Sequence, residues 1–258
     1  MIHIMKIQEQ YFHFIKKGTK KYEIRLNDEK RQKIKIGDFI EFQKEPLLEE
    51  KIIVEVENML YYDNFSKLFD DIKFDYLADS FLSKEDLQKD LEVFYPIEKQ
   101  QIYGVVAIQL KKDNIINYSK INTIFSANEI FTTLRDNYKD FDTWLRKMKL
   151  NNVNVFYTEW NDKITSILML KINEMDSQQF FLKGKILKIR TFLVLDKNKG
   201  IGTMYLKIID DIAKVNTIKY IYLTVKIKNN EFIQFIEKNN YKKYSQLNDE
   251  LVYYKVIE

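Results

Sequence analysis

The sequence predicts an α+β protein of two domains, residues 1–112 and 123–258, and three observations carry the prediction. Residues 1–112 show the two-residue period of half-buried strands on both sides of a helix-patterned insertion. Residues 123–258 pass back and forth between strand and amphipathic-helix patterns, a mixed α/β order. Between them residues 111–122 are polar and without period, and a chain of 258 residues suffices for two cores. The first domain reads as a small β-barrel with a helical insertion, the second as a mixed α/β fold.

In the first domain Ile2, Ile4 and Ile7 open a strand, and Tyr11, Phe12 and Ile15 recur at helical spacing up to Gly18, a residue suited to close a helix. Residues 20–26 place Tyr22, Ile24 and Leu26 on one side of a strand and Lys21, Glu23 and Arg25 on the other. Gly37-Asp38 is a turn ahead of a strand at 39–43, and Ile52, Val54 and Val56 alternate in the next one. The insertion holds helix patterns at 65–72 and 83–94, the second with Ser83 as N-cap and acids in its first turn. Pro96 stops that helix, and a strand is expected at 102–110. Tyr61, Tyr62, Phe65, Phe69, Phe74 and Tyr76 read as packing for the insertion.

The second domain begins with helical signals at 129–150. Strands follow at 153–159, 164–172 and 185–195, then a helix at 201–215, a strand at 220–226, a helix at 230–238 and a last strand at 250–256. Ile201, Met204, Tyr205, Ile208, Ile212 and Val215 mark the buried stripe of the first of these later helices.

Composition narrows the chemistry. The chain has no Cys and two His, so disulfides, thiolate metal sites and a cysteine nucleophile are excluded and a zinc enzyme is disfavoured. No apolar run approaches the roughly 18 residues of a membrane span, and the first residues lack the plan of a secretory signal. The expectation is a cytoplasmic protein with neither a membrane nor a metal partner. The net charge of +4 is uneven: residues 1–112 sum to −2 and residues 113–258 to +6. Residues 16–35 nevertheless hold nine basic and three acidic side chains, a face able to meet phosphate or simply a solvated one.

The strongest chemical signal is a long apolar strand, the loop Asp196-Lys197-Asn198-Lys199, and Gly200-Ile201-Gly202-Thr203 opening a helix. Two glycines let backbone N–H groups approach an anion, and the free donors of the first turn favour phosphate. Lys197 and Lys199 add mobile positive charge, so the loop suits a pyrophosphate; a structural turn without a ligand is the plain alternative. A Walker loop lacks its Gly-Lys-Ser/Thr ending here, and a dinucleotide fingerprint its third Gly.

On these residues, 123–258 resemble the GNAT acetyltransferase family, whose coenzyme A loop, Arg/Gln-x-x-Gly-x-Gly/Ala, appears here as Lys197-Asn198-Lys199-Gly200-Ile201-Gly202. Asn229, followed by Phe235-Ile236-Glu237-Lys238-Asn239-Asn240-Tyr241, is similar to the family's later Phe-Tyr-Glu-Lys-x-Gly-Phe pattern. The resemblance implies acetyl-CoA as cofactor. It would be held along Phe192, Leu193 and Val194, by Lys197, Asn198, Lys199, Gly200, Ile201, Gly202 and Thr203, and near Asn229. It also implies direct attack of an amine on the thioester. Ile236 stands where many members have a Tyr that protonates the leaving thiolate, and an alkyl group donates no proton. Tyr241 is the candidate acid, with Tyr244 nearby, and Glu174 the candidate base, with Glu159 and Asp176 likewise flanking neighbouring strands; core packing and surface charge are the competing roles.

Gly18-Thr19-Lys20-Lys21-Tyr22-Glu23-Ile24-Arg25 resembles the Gly-x-Lys-x-x-Glu-x-Arg signature of the ASCH family, a PUA-like β-barrel, with Tyr11-Phe12 and Gly37-Asp38 in supporting positions. That resemblance implies recognition of RNA or a modified nucleoside. Lys20, Glu23 and Arg25 would grip a base edge or phosphate, and Lys30 and Arg31 would extend the positive field; a surface ion-pair ladder is the alternative. An amidohydrolase acting on an acetylated nucleoside would use Lys20 as base, with Glu23 where those enzymes have Thr. His3 and His13, beside the motif, read as packed or exposed rings.

The combined expectation is an acetyl-CoA-dependent N-acetyltransferase whose first domain recognises RNA, a nucleotide or an RNA-associated substrate. The rivals are a non-catalytic RNA-binding regulator that senses acyl-CoA, and the amidohydrolase.

Overall fold

Two bodies of chain, Met1–Tyr118 and Ser119–Glu258, make up the computed structural model, which describes residues 1–78, 83–124, 129–175 and 184–257. The division falls inside the polar stretch that the sequence marks. That stretch also contains a strand, β6 below, which the lack of a hydrophobic period had hidden.

In the first unit β1 (Ile2–Ile7) leads into α1 (Glu9–Lys17), which Gly18 closes with φ +72° as its amide bonds the Ile15 carbonyl at 2.8 Å. Next come β2 (Tyr22–Leu26), β3 (Phe39–Lys44) and β4 (Lys51–Tyr62). The insertion holds α2 (Phe65–Asp71), α3 (Lys84–Phe94) and α4 (Ile97–Tyr103), after which β5 (Val105–Leu110) and β6 (Ile116–Lys120) follow. As expected, Ser83 caps α3, its side chain accepting from the Asp86 amide. The strand expected from residue 102 starts later. Ile102 and Tyr103 finish α4, and Gly104, at φ +67° against the Tyr62 carbonyl, makes the turn into β5.

The strand order of this unit is β1-β3-β4-β5-β2, with β1 parallel to β3 and the other pairs antiparallel. β4 also pairs β6 through residues 51–53. Among the described residues no ladder joins β2 to β1, so the expected barrel is open at that seam. β5 is buried on both faces: Val106, Ile108 and Leu110 pack with β1, α1, β3 and β4, whereas Val105 and Ala107 pack with β2 and the helical insertion. Of the insertion aromatics, Phe65 and Phe69 are buried in that second core, Tyr62, Phe74 and Tyr76 pack against it, and Tyr61 is exposed.

In the second unit α5 (Glu129–Asn137) and α6 (Phe141–Leu150) precede β7 (Asn154–Trp160), β8 (Lys163–Met175) and β9 (Gly184–Val194). Then come α7 (Ile201–Val215), β10 (Tyr220–Lys226), α8 (Asn230–Lys238), β11 (Lys242–Leu247) and β12 (Glu250–Val256). The order across the sheet is β7-β8-β9-β10-β12-β11, parallel at the β9–β10 pair alone among the described ladders. Neighbouring residues of β9 show how the helices divide: Leu193 packs with the α5–α6 core, whereas Phe192 meets Tyr205 of α7 and Phe232 of α8. α7 and α8 therefore cover one face, α5 and α6 the other. Among the described residues no helix is long and apolar enough to cross a membrane.

Candidate functional site

In the first unit a cavity of about 210 Å³ lies at the open β1–β2 seam, walled by Lys6, Ile7, Tyr11, Leu91, Phe94 and Tyr95 around Lys20, Glu23 and Arg25. Alternation in β2 turns Ile24 and Leu26 toward the insertion core and leaves Glu23 and Arg25 on the opposite face. Lys20 and Glu23 are each 4% exposed, so the motif is a buried charge cluster and not a surface ladder. Glu23 accepts from Arg25 Nη2 at 2.8 Å and lies 3.6 Å from Lys20 Nζ, which donates to the Leu77 carbonyl at 2.8 Å. Arg25 also donates to the Tyr95 hydroxyl at 2.7 Å and the Lys6 carbonyl at 3.2 Å.

Burial lowers the proton affinity of Lys20, and Glu23 opposes it. For Arg25 burial acts the same way but is overcome by Glu23 and Tyr95, which hold the guanidinium charged. Burial, with Asp90 and Glu23 adding and neighbouring Gln10 opposing, pushes Tyr11 up to about 12. Two polar atoms at this cavity, the Tyr11 hydroxyl and Arg25 Nε, are buried with no hydrogen-bond partner among the described residues. Lys30 and Arg31 do not join the cluster. Lys30 is exposed and Arg31 pairs with Asp28 at 3.0 Å. His3 bonds Asp38 at 2.9 Å and His13 faces Glu9 at 3.6 Å, so neither ring lines the cavity.

In the second unit the β9–β10 ladder runs only from Tyr220↔Ile186 to Tyr222↔Lys188. Beyond it the β8–β9 register skips: Ile189 pairs Leu170 and Thr191 pairs Met169, leaving Arg190 as the extra residue of a bulge. A bulge bends its strand, and here the two parallel strands part into a wedge of about 510 Å³. Phe192 and Leu193 line it on one arm, Thr224, Val225 and Lys226 on the other, with Tyr138 across the mouth. Val194 is partly buried at the strand end, paired to Ser166.

Gly200 starts α7 at φ +77°, a left-handed conformation that favours glycine, and a Cβ there would meet open space. The amides of Ile201, Gly202 and Thr203 form the donor end of the helix, Met204 being the first to bond back, to the Gly200 carbonyl at 3.0 Å. Asn198 bends the loop at φ +67°. The loop lysines are not the mobile charges expected: Lys197 pairs with Glu231 at 2.6 Å and Lys199 with Asp196 at 2.8 Å. Gly202 admits Phe235, whose Cζ would lie 3.1 Å from an added Cβ, and Phe235 packs on Phe192. Asn229 lines the wedge and caps α8 by accepting from the Phe232 amide at 3.3 Å.

The expected proton carriers fare differently. Tyr241 is 2% exposed, lies outside the wedge lining beside Asp210 and Lys255, and has a hydroxyl without a partner; burial raises its proton affinity far above the ordinary tyrosine range. That placement makes it a core residue. Tyr244 packs edge-on against Tyr254. Glu174 stands opposite Lys185 in the β8–β9 ladder, while its side chain, like Asp176, lies outside the described residues. The wedge residues that sequence reasoning missed, Tyr138, Arg190, Thr191 and Thr224, carry no motif; they meet because two strands diverge.

Comparison with known proteins bears mainly on the first unit. No curated protein matches the chain. A protein of Pyrococcus furiosus, solved by NMR in solution, is 33% identical, covering 43% of this chain and 96% of its own, at TM-score 0.36. Structures covering the carboxy-terminal part include GNAT acetyltransferases. PaiA N-acetyltransferase of Thermoplasma acidophilum, in complex with coenzyme A, is 18% identical over 52% of this chain and 80% of its own, at TM-score 0.36. An acetyltransferase of the GNAT family from Staphylococcus aureus Mu50 is 17% identical over 55% and 99%, at TM-score 0.43. The sequence model of the ASCH domain matches residues 5–113, a span that contains every residue walling the seam cavity. Through residues 5–113 the chain belongs to the ASCH domain family.

Proposed function

We propose that the chain is a coenzyme A-dependent N-acyltransferase whose ASCH domain binds RNA or a nucleotide. The observation that carries the transferase is the wedge between β9 and β10, beside a helix start that Gly200 leaves open. From Ile189 onward β9 presents toward β10 an edge with no strand partner among the described residues, which an extended chain with amides, such as pantetheine, can pair as an added strand. The amides of Ile201, Gly202 and Thr203 suit its pyrophosphate. When bound, acetyl-CoA supplies an acyl group activated as a thioester.

The acceptor's neutral amine forms a C–N bond to the carbonyl carbon as the C–S bond breaks, sulfur keeping the electron pair and the nitrogen's proton passing to water. No carboxylate lines the wedge among the described residues, so positioning and an N–H of β9 facing the carbonyl provide the catalysis. The lack of a base also favours a second reading, a non-catalytic acyl-CoA sensor. Calorimetry of the full chain with acetyl-CoA, followed by thiol release with nucleoside, RNA and peptide amines, decides. Absent binding ends both readings; binding without thiol release leaves the sensor.

For the ASCH domain, the unpartnered Tyr11 hydroxyl and Arg25 Nε, with the Glu23 carboxylate, suit one planar ring bearing donors and an acceptor. The cavity is smaller than the roughly 300–1,000 Å³ of drug-sized sites, which favours a base over a whole nucleotide. Loss of RNA or nucleoside binding in Lys20→Met, with the fold intact by melting, supports this; unchanged binding removes it. The lowered proton affinity of Lys20 keeps the amidohydrolase testable, by acetate release from acetylated cytidine.

A further inference from the structure

Arg190 bears a charge that makes no ion pair among the described residues. It is partly buried, Nη1 lies 3.1 Å from Met148 Sδ of α6, and among the described residues no carboxylate pairs with it. Lys188, two residues earlier in β9, places its ammonium 5.5 Å from the Tyr222 ring centroid and likewise has no ion pair among the described residues. The two cations are near enough that Arg190, after burial, lowers the proton affinity of Lys188, and Glu250 opposes the shift only in part. Lys226 over the Tyr138 ring and exposed Lys228 extend the positive lining of the wedge. Holding like charges half out of water costs free energy that an anionic ligand would recover.

The anion in question is not the pyrophosphate expected at α7. Met148 belongs to the α5–α6 core and α7 packs on the Phe192 face, so Arg190 and the Gly200 turn serve opposite faces of the sheet. A guanidinium in a wedge whose lining also holds the Tyr138 ring matches a doubly charged phosphate next to a planar ring better than a carboxylate on a flexible chain.

Resting on the transferase reading, we propose that the α5–α6 side of the wedge binds an acceptor of nucleotide chemistry, its phosphate on Arg190 and its ring against Tyr138. The amine to be acylated then reaches the wedge from the face opposite the pyrophosphate turn. A cationic lining also disfavours an ammonium, so the amine arrives in its reactive neutral form.

The test uses the full chain, saturated with coenzyme A at the affinity measured for each variant, and calorimetry with AMP, adenosine and a short single-stranded RNA. AMP is expected to bind about tenfold tighter than adenosine, the preference vanishing in Arg190→Gln and partly returning in Arg190→Lys. RNA binding tighter than AMP in the same Arg190-dependent way identifies RNA as the source, and equal affinity identifies the free nucleotide. Equal binding of AMP and adenosine overturns the proposal, as does a preference that survives Arg190→Gln, which would place the phosphate elsewhere. Arg190-dependent binding of an acidic peptide instead of AMP overturns it too. If coenzyme A itself fails to bind, the transferase reading falls, while the AMP preference and its loss in Arg190→Gln are read on the unliganded chain.

Discussion

Arg25 Nη2 donates to the Lys6 carbonyl at 3.2 Å, and this side-chain bond spans the seam where no ladder links β2 to β1. The same guanidinium neutralises Glu23, which is 5% exposed at its side chain. Arg25→Ala should therefore cost about 3 kcal/mol, because it leaves a carboxylate buried beside Lys20 alone. Adding Glu23→Gln should restore part of the loss. Denaturant midpoints of the single and double variants check this, and additive effects would mean the pair is uncoupled.

Tyr11 lines the cavity with a hydroxyl that has no partner, so Tyr11→Phe should stabilise the empty protein by about 1 kcal/mol while weakening ligand binding. The pH dependence has a definite sign. The folded state holds Tyr11 protonated up to about 12 against the ordinary tyrosine value of 10.0, so its contribution is present below pH 10 and is lost as pH rises from 10 toward 12. The melting-temperature advantage of Tyr11→Phe should widen in that window, and a constant gap would contradict it.

How much of this was legible in the sequence depended on where hydrophobic period and chemistry coincide. α7, β10, α8 and β12 run where their apolar stripes and caps put them. β11 was missed because Lys242, Lys243, Ser245 and Gln246 form an edge strand without a fully buried residue, so no alternation marks it. Lys20, Glu23 and Arg25 were legible as a motif. Their burial was not, since it comes from the insertion supplying Leu77 and Tyr95. The wedge was invisible for a different reason: a bulge at Arg190 is a mismatch between two strands, and neither strand alone records it.

Without a carboxylate among the described wedge residues, turnover should follow the acceptor's neutral fraction. The initial rate at low acceptor concentration should rise about tenfold per pH unit below the amine pKa and then level off. A profile that falls again at high pH would report an enzymic acid and require a donor outside the described lining.

The two glycines of the α7 turn should separate strain from packing. Gly200→Ala adds a Cβ into open space at φ +77° and should lower stability by about 1 kcal/mol. Gly202→Ala gains helix propensity but presses on Phe235, so its stability should stay within about 1 kcal/mol of wild type. Because Phe235 packs on Phe192, that variant should nevertheless weaken coenzyme A binding; melting and calorimetry on both variants distinguish these outcomes.

Tyr241 provides the sharpest contrast between a candidate read from sequence and its local environment. Its hydroxyl is buried, unpartnered and outside the wedge lining, and nearby Asp210 adds to burial in keeping the phenol protonated. A leaving thiolate in the wedge cannot take a proton from it. Tyr241→Phe should leave thiol release within about twofold of wild type, whereas removing a true general acid costs about 100-fold or more. Stability should hold or rise by about 1 kcal/mol, since no hydrogen bond is lost. A large fall in turnover at unchanged stability would instead restore Tyr241 as the proton donor and require the wedge to reach it.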